Sequence, residues 1–256
     1  IISNPYRFGY QNYEGNLFRP LPVSIFAIQW AISPDNAFLG HLTNVLVYSL
    51  CGSLLFLLLL KILPGKSNLL PFVISLLFLA HPIHTEVVAN IKSLDEILVL
   101  LFLILTLKFL WNYIKPNKQQ PRKLMDLSFA ILCYVFALFS KESAITFVAI
   151  IPFVLYIFST LNLKEIAKIS VLFVLPAFLF LILRASIIDN SLDVGILDNS
   201  LMAAEGIGHR MANAFYFSGL YLWKLLFPLE LVSDLGYNQF PMTGFSDWRV
   251  LLSLAV

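Results

Sequence analysis

Five long stretches of this chain contain no Asp, Glu, Lys, Arg or His: residues 45–60, 97–107, 127–139, 144–158 and 171–183. A chain with so many uncharged apolar runs has few ways to fold in water. Crossing a bilayer takes about 20 apolar residues in a helix, because a helix satisfies its own backbone hydrogen bonds in lipid. Composition points the same way. Charged residues are 12% of the chain and hydrophobic residues 59%, whereas a soluble domain carries about 25% charged. Too little polar surface remains to cover a water-soluble globule. The fold class is therefore all-α, a polytopic transmembrane helical bundle.

Five or six segments qualify or nearly qualify as spans: 38–60, 69–80, 97–111, 124–139, 144–158 and 169–183. The second is short, with room to continue past His81-Pro82. Pro152 and Pro176 lie inside spans, where neighbouring helices can restrain the freed backbone groups. Residues 22–32 are apolar but too short to cross, and Arg19 and Asp35 bound them, which fits an interfacial helix. Residues 210–227 read either as a span or as a helix on the surface, and Lys224, Trp223 and the tyrosines favour the surface. The expected organisation is an external loop with its interfacial helix (1–37), the bundle (38–184), a second external region with an interfacial or re-entrant helix (185–247), and the start of a further span (248–256). Ile1-Ile2-Ser3-Asn4-Pro5 shows no signal-peptide pattern. Both ends read as fragment edges.

Basic residues orient the bundle. Lys61, Lys66, Lys108, Lys115, Lys118, Arg122, Lys123, Lys164 and Lys168 are nine of the 17 basic residues, and their three loops contain one acid, Glu165. That face is expected to be cytoplasmic. The alternate loops are mixed in charge, hold most of the acids, and are expected to be periplasmic or lumenal. A net charge of +2 leaves no nucleic-acid footprint. Cys51 and Cys133 sit in apolar runs and read as inert core thiols.

The titratable residues gather at the outer ends of the helices. His81-Pro82-Ile83-His84-Thr85-Glu86 is followed by Lys92-Ser93-Leu94-Asp95-Glu96. Imidazoles and carboxylates so grouped can hold a divalent metal or act as general bases, or they can simply cap a span and bond to water at the interface. Lys141-Glu142 occupies a tight turn between two spans. A lysine there can ion-pair with a phosphate, or it can be a snorkelling side chain beside an acid at a helix start. Arg19, Arg184, Arg210 and Asp234 complete the outer set, each singly an interfacial anchor. The span interiors lack the mid-depth charge of a charge-coupled transporter.

These motifs resemble a known family. Asn16-Leu17-Phe18-Arg19-Pro20-Leu21, then His41-Leu42-Thr43-Asn44-Val45-Leu46, resembles a stretch of the transmembrane and tetratricopeptide-repeat-containing mannosyltransferases and their bacterial relatives. His81-Pro82-Ile83-His84-Thr85-Glu86-Val87-Val88-Ala89-Asn90-Ile91-Lys92-Ser93, with Asp95-Glu96, is similar to that family's long signature. Ser140-Lys141-Glu142-Ser143 resembles its lysine-glutamate turn. Leu225-Leu226-Phe227-Pro228 and the block holding Ser233-Asp234 resemble its later motif. The order is the family's order. The sequence departs at Leu94, where relatives carry arginine, and Lys92 is the cation that could compensate.

The resemblance implies a GT-C-like glycosyltransferase that takes a sugar from a polyprenyl- or dolichyl-phosphate carrier on the non-cytoplasmic side. It also implies a principal acidic base shortly before Asn4-Pro5, upstream of Ile1. The family often carries C-terminal tetratricopeptide (TPR) repeats, and none is legible here. The expected reaction moves a hexose, mannose by the family's example, to a hydroxyl on a protein (Ser/Thr) or glycan acceptor. Expected catalytic-side residues are His84, Glu86, Asp95 and Glu96. Expected substrate contacts are Lys141, Arg210, Arg19, Glu142 and Asp234. The expected location is multi-pass in a bacterial inner membrane, or the endoplasmic reticulum in a eukaryote. A transporter or lipid flippase, and a non-catalytic membrane scaffold, are the alternatives.

Overall fold

The structure, a computed structural model, describes residues 17–63, 65, 67–114, 124–188, 204, 206–229, 231 and 242–255. Those residues are 85% helical, with no strands. The chain divides into two compact units, Ile1–Asn190 and Ser191–Val256.

In the first unit the helices are α1 (Pro20–Ile32), α2 (Ala37–Ile62), α3 (Leu69–Ala80), the short α4 (Thr85–Ala89), α5 (Leu94–Ile114), α6 (Leu124–Ser140), α7 (Phe147–Phe158) and α8 (Leu163–Ile187). Local signals set several of the starts. Pro20 opens α1, where the missing N–H costs nothing. The Asn36 side chain accepts from Phe38 N at the start of α2. Asn162 and Glu165 form a reciprocal capping box on α8. Asp35, with φ 56°, makes the left-handed turn between α1 and α2.

Three segments are long and apolar enough to span: Ala37–Ile62, Ile91–Ile114 and Leu163–Ile187. A fourth is Leu69–Ala80 with Pro82–Ala89, bent by 48° as a broken span or re-entrant loop. The continuation expected past His81-Pro82 exists, but with this bend. The expected spans at 124–139 and 144–158 form apolar helices of 17 residues (α6) and 12 residues (α7). At 1.5 Å per residue, α6 reaches about 25 Å and α7 about 18 Å, short of a hydrocarbon core of about 30 Å. Five Glu142–Thr146 residues before α7 are wound as a 3-10 turn, so this part of the apolar run is not α-helical.

Ring pairs fix how the helices run. Phe102 meets Phe136 at 5.3 Å and Phe109 meets Phe129 at 5.4 Å, so α5 and α6 are antiparallel. Tyr134 on Phe173 and Phe139 on Phe180 set α6 parallel to α8. Cys51 Sγ donating to Ile97 O, and Lys61 Nζ to Asn112 Oδ1, set α2 parallel to α5. The core lies along α5 and α6, where Ile97, Leu110, Tyr134, Ala137 and Leu138 are buried. In the most apolar window of α2 and of α8 only 28% is buried, against 50% in the window over α5. The remaining apolar faces of α2 and α8 need lipid as their solvent.

The second unit holds α9 (Gly206–Leu226) and α10 (Trp248–Ala255). Asn213 is fully buried. Its Nδ2 donates to His209 O and Thr243 O, and its Oδ1 accepts from Thr243 N. A Cβ on Gly219 would lie 2.1 Å from Ser253 Oγ and 3.1 Å from Ser253 Cα, so the two helices need glycine at that crossing. α9 is 21 residues long, yet it is not among the segments apolar enough to span.

Candidate functional site

One end of the first unit collects charged side chains from four helix ends. Arg19 stands just before α1, Asp95 and Glu96 in the first turn of α5, Lys141 and Glu142 in the turn after α6, and Arg184 in the last turn of α8. Carboxylates in a first helical turn and a cation in a last turn both complement the helix dipole. The other end carries Lys61 with Asn112, about 26 Å from Asp95 along α5.

Arg19 is the hub, with 8% of its surface exposed. Its Nε and Nη2 donate to the two Glu142 oxygens at 3.1 Å each, and its Nη1 donates to Asp95 Oδ2. This bidentate fork on one carboxylate and single bond to another is geometry that lysine cannot supply. Asp95 is buried, and its other oxygen accepts from Glu96 N. Phe18 is buried with its ring against Phe139 and Phe180, so the Phe18-Arg19-Pro20 segment is driven between the C-terminal ends of α6 and α8. Burial lowers the Arg19 proton affinity, but the bonds and charges of Glu142 and Asp95 outweigh it and leave Arg19 above its ordinary value. Burial pushes the Glu142 carboxyl up. The Arg19 hydrogen bonds and charge, helped by Arg184, win and hold it below the usual carboxylate range.

Beside this locked group Lys141 Nζ pairs with Glu96 Oε1. The side chains are 22% and 41% exposed, against 9% and 4% for Arg19 and Asp95. Lys141 has extended backbone, and its N–H still closes α6 on Ala137 O.

The loop preceding Asp95 is held by α2. Asn44, fully buried, donates from Nδ2 to Asn90 O at 2.9 Å and Val88 O at 3.3 Å. Tyr48 Oη donates to Leu79 O. Gly40 and Gly52 let α2 approach: a Cβ would lie 2.8 Å from Ile91 Cγ2 at the first and 2.3 Å from Leu79 Cδ1 at the second. Asn90 then caps the turn into Lys92 through its own Oδ1. Residues 40, 44, 48, 51 and 52 share one face at helical spacing.

The expected residues separate into groups. Asp95, Glu96, Lys141, Glu142 and Arg19 come together. His84 does not join them: its ring packs on Phe78 at 4.6 Å, Tyr48 at 5.7 Å and His81 at 6.1 Å. Glu86 is exposed on α4. No hydrogen bond or ion pair among the described residues links His84 or Glu86 to the Arg19 cluster. Their neighbourhood in sequence ends at two 3-10 turns that redirect the chain. Arg19, expected to be an interfacial anchor or a phosphate contact, is buried and engaged with two carboxylates. Arg210 lies exposed on α9 in the second unit. Asp234 and Asn4-Pro5 lie outside the described residues. Leu94, where arginine was expected, is fully buried, and Lys92 is exposed without an ion pair to a described residue. Among the described residues, no group of three or more His, Cys, Asp or Glu side chains is placed to hold a metal ion. Asn44 was missed as a positioning residue. Its signal was available, as an amide inside the expected span 38–60.

Comparison with known proteins agrees with the resemblance. The chain is 26% identical to human protein O-mannosyl-transferase TMTC2 over 93% of its own length and 30% of the relative. It is 26% identical to human protein O-mannosyl-transferase TMTC4, over 96% of this chain and 38% of the relative. Over a shorter stretch, 39% of this chain, it is 35% identical to human protein O-mannosyl-transferase TMTC1. The chain therefore spans about a third of the length of the first two relatives. No family model matches it, and no solved structure does. The resemblance to the transmembrane and tetratricopeptide-repeat-containing mannosyltransferases is thus borne out across most of the chain.

Proposed function

We propose that this chain is the membrane portion of a glycosyltransferase that moves a hexose, mannose by analogy with its relatives, from a polyprenyl- or dolichyl-phosphate carrier to a hydroxyl acceptor, a protein Ser or Thr in the first instance. The observation that carries this reading is the charged cluster at one end of an uncharged, lipid-facing bundle. A donor with its tail in lipid and its phosphate at the interface presents its anion at that depth. Lys61, Lys164 and Lys168 at the opposite end favour a non-cytoplasmic location for the cluster.

In the reaction, a carboxylate accepts the proton of the acceptor hydroxyl. A bond forms from the acceptor oxygen to the sugar C1 as the C1–O bond to the lipid phosphate breaks, and the phosphate leaves with the electron pair. A cation beside that phosphate stabilises its growing charge. Lys141 is the proposed cation. Arg19 serves it by holding Asp95 and Glu142, the neighbours in sequence of Glu96 and Lys141. Asp95 acts indirectly, by fixing the start of α5 that carries Glu96 beside Lys141.

The test is sugar transfer from a purified polyprenyl-phosphate mannose to a peptide acceptor by the full-length protein in proteoliposomes. Lys141→Ala is expected to cut turnover about 100-fold, the scale for removing one transition-state donor. Wild-type turnover in a folded variant removes the phosphate role from Lys141.

A further inference from the structure

The two cations at the charged end, Arg19 and Lys141, are held differently, and that difference has a functional reading. Arg19 is enclosed, and three of its donors are committed to Asp95 and Glu142. Among the described residues Lys141 has a single ion-pair partner, Glu96, whose side chain is 41% exposed. Pulling Arg19 off its carboxylates would leave buried charge unmatched. Pulling Lys141 off Glu96 leaves a carboxylate that water can reach, and partly exposed ion pairs are weakly held. Asp95 and Glu96 are adjacent in sequence, as are Lys141 and Glu142, so the enclosed pair fixes the backbone on both sides of the exchangeable one.

We propose that Glu96 is a built-in competitor for the phosphate site: it occupies Lys141 while the site is empty, and an incoming lipid phosphate displaces it. This rests on the reading of Lys141 as the phosphate contact and adds that the resting partner is an internal anion. A phosphate group brings more than one charged oxygen to the ammonium, so it can replace a single carboxylate contact. The released Glu96 rehydrates in place. The ion pair keeps Lys141 oriented and matched in the empty state, and sets the affinity for phosphate below what the lysine alone would give.

The inference is tested by binding rather than by turnover. The full-length protein in nanodiscs is titrated with a fluorescent polyprenyl phosphate, and separately with inorganic phosphate to show whether the lipid tail is needed. Glu96→Gln keeps the shape and removes the competing charge. It is expected to bind polyprenyl phosphate about tenfold tighter than wild type, with Glu96→Ala as a second variant tightening in the same direction. Lys141→Ala should bind weakly, and Lys141→Ala with Glu96→Gln should show no tightening. Tightening toward inorganic phosphate as well would place recognition in the phosphate group itself, and tightening toward the lipid alone would add a tail contact. Both results support the exchange. Equal or weaker binding by folded Glu96→Gln and Glu96→Ala, with Lys141→Ala still impaired, overturns the competition while leaving the phosphate contact standing. Unchanged binding by Lys141→Ala overturns both.

Discussion

Arg19 carries one positive charge and meets two negative ones, in surroundings where each would otherwise be costly. A buried ion pair adds little over an apolar replacement of both partners, but removing one partner strands the rest. Arg19→Met should therefore cost about 3 kcal/mol, read as a loss of several degrees in thermal unfolding in detergent. Arg19→Met combined with Asp95→Leu should recover part of that loss, because the two side chains are coupled rather than additive. Full additivity of the two substitutions would show that the pair contributes nothing specific. None of this was legible from spacing. Arg19 is 76 residues from Asp95 and 123 from Glu142, and a cation next to Pro20 looks like any interfacial anchor. The Lys141-Glu142 dipeptide was legible as a polar turn. That its two members face different partners was not, because consecutive side chains on extended backbone diverge and only tertiary packing decides what each meets.

At the scale of elements, helices were read well and their junctions poorly. Segments 38–60 and 169–183 lie within Ala37–Ile62 and Leu163–Ile187, because an uninterrupted apolar run in lipid has no competing way to satisfy its backbone. The stretch from His81 to Glu96 was read as one polar group. The structure divides it into two 3-10 turns, a short α-helix and the first turn of α5, with His84 turned to aromatic rings and Asp95 to Arg19. Pro82 and the Asn90 cap mark those breaks, but nothing local says which way the chain leaves them. Asn44 decides that from another helix, by holding the Val88 and Asn90 carbonyls. Asn44→Ala should remove about 1–2 kcal/mol of local stability. Hydrogen exchange followed by mass spectrometry should show peptides over residues 81–93 losing protection while those over 127–138 keep theirs. Uniform loss across both regions would show that Asn44 supports the whole bundle instead of this loop.

For the molecule as a whole, the deciding property is the separation of its two ends. In the first unit α2 and α5 run parallel and α6 runs against α5, so Lys61 and Asn112 meet at one end while Arg19, Asp95, Glu96, Lys141 and Glu142 meet at the other. Between them lie exposed apolar helix faces that suit lipid. A site for a membrane-borne phosphate needs this arrangement, because chemistry at mid-depth would require charge inside the hydrocarbon. Ser143 is exposed beside the cluster and Ser67 is exposed at the lysine end, while the two native thiols, Cys51 and Cys133, are buried and give little background. Under the proposed orientation, a membrane-impermeant maleimide added from outside sealed cells should label Ser143→Cys at once and Ser67→Cys only after permeabilisation. The reverse pattern would turn the bundle over and put the cluster in the cytoplasm, where a lipid-linked donor on the outer leaflet could not reach it. Labelling of both positions from one side would break the end-to-end separation itself, and with it the case that these charges meet a lipid phosphate at a defined depth.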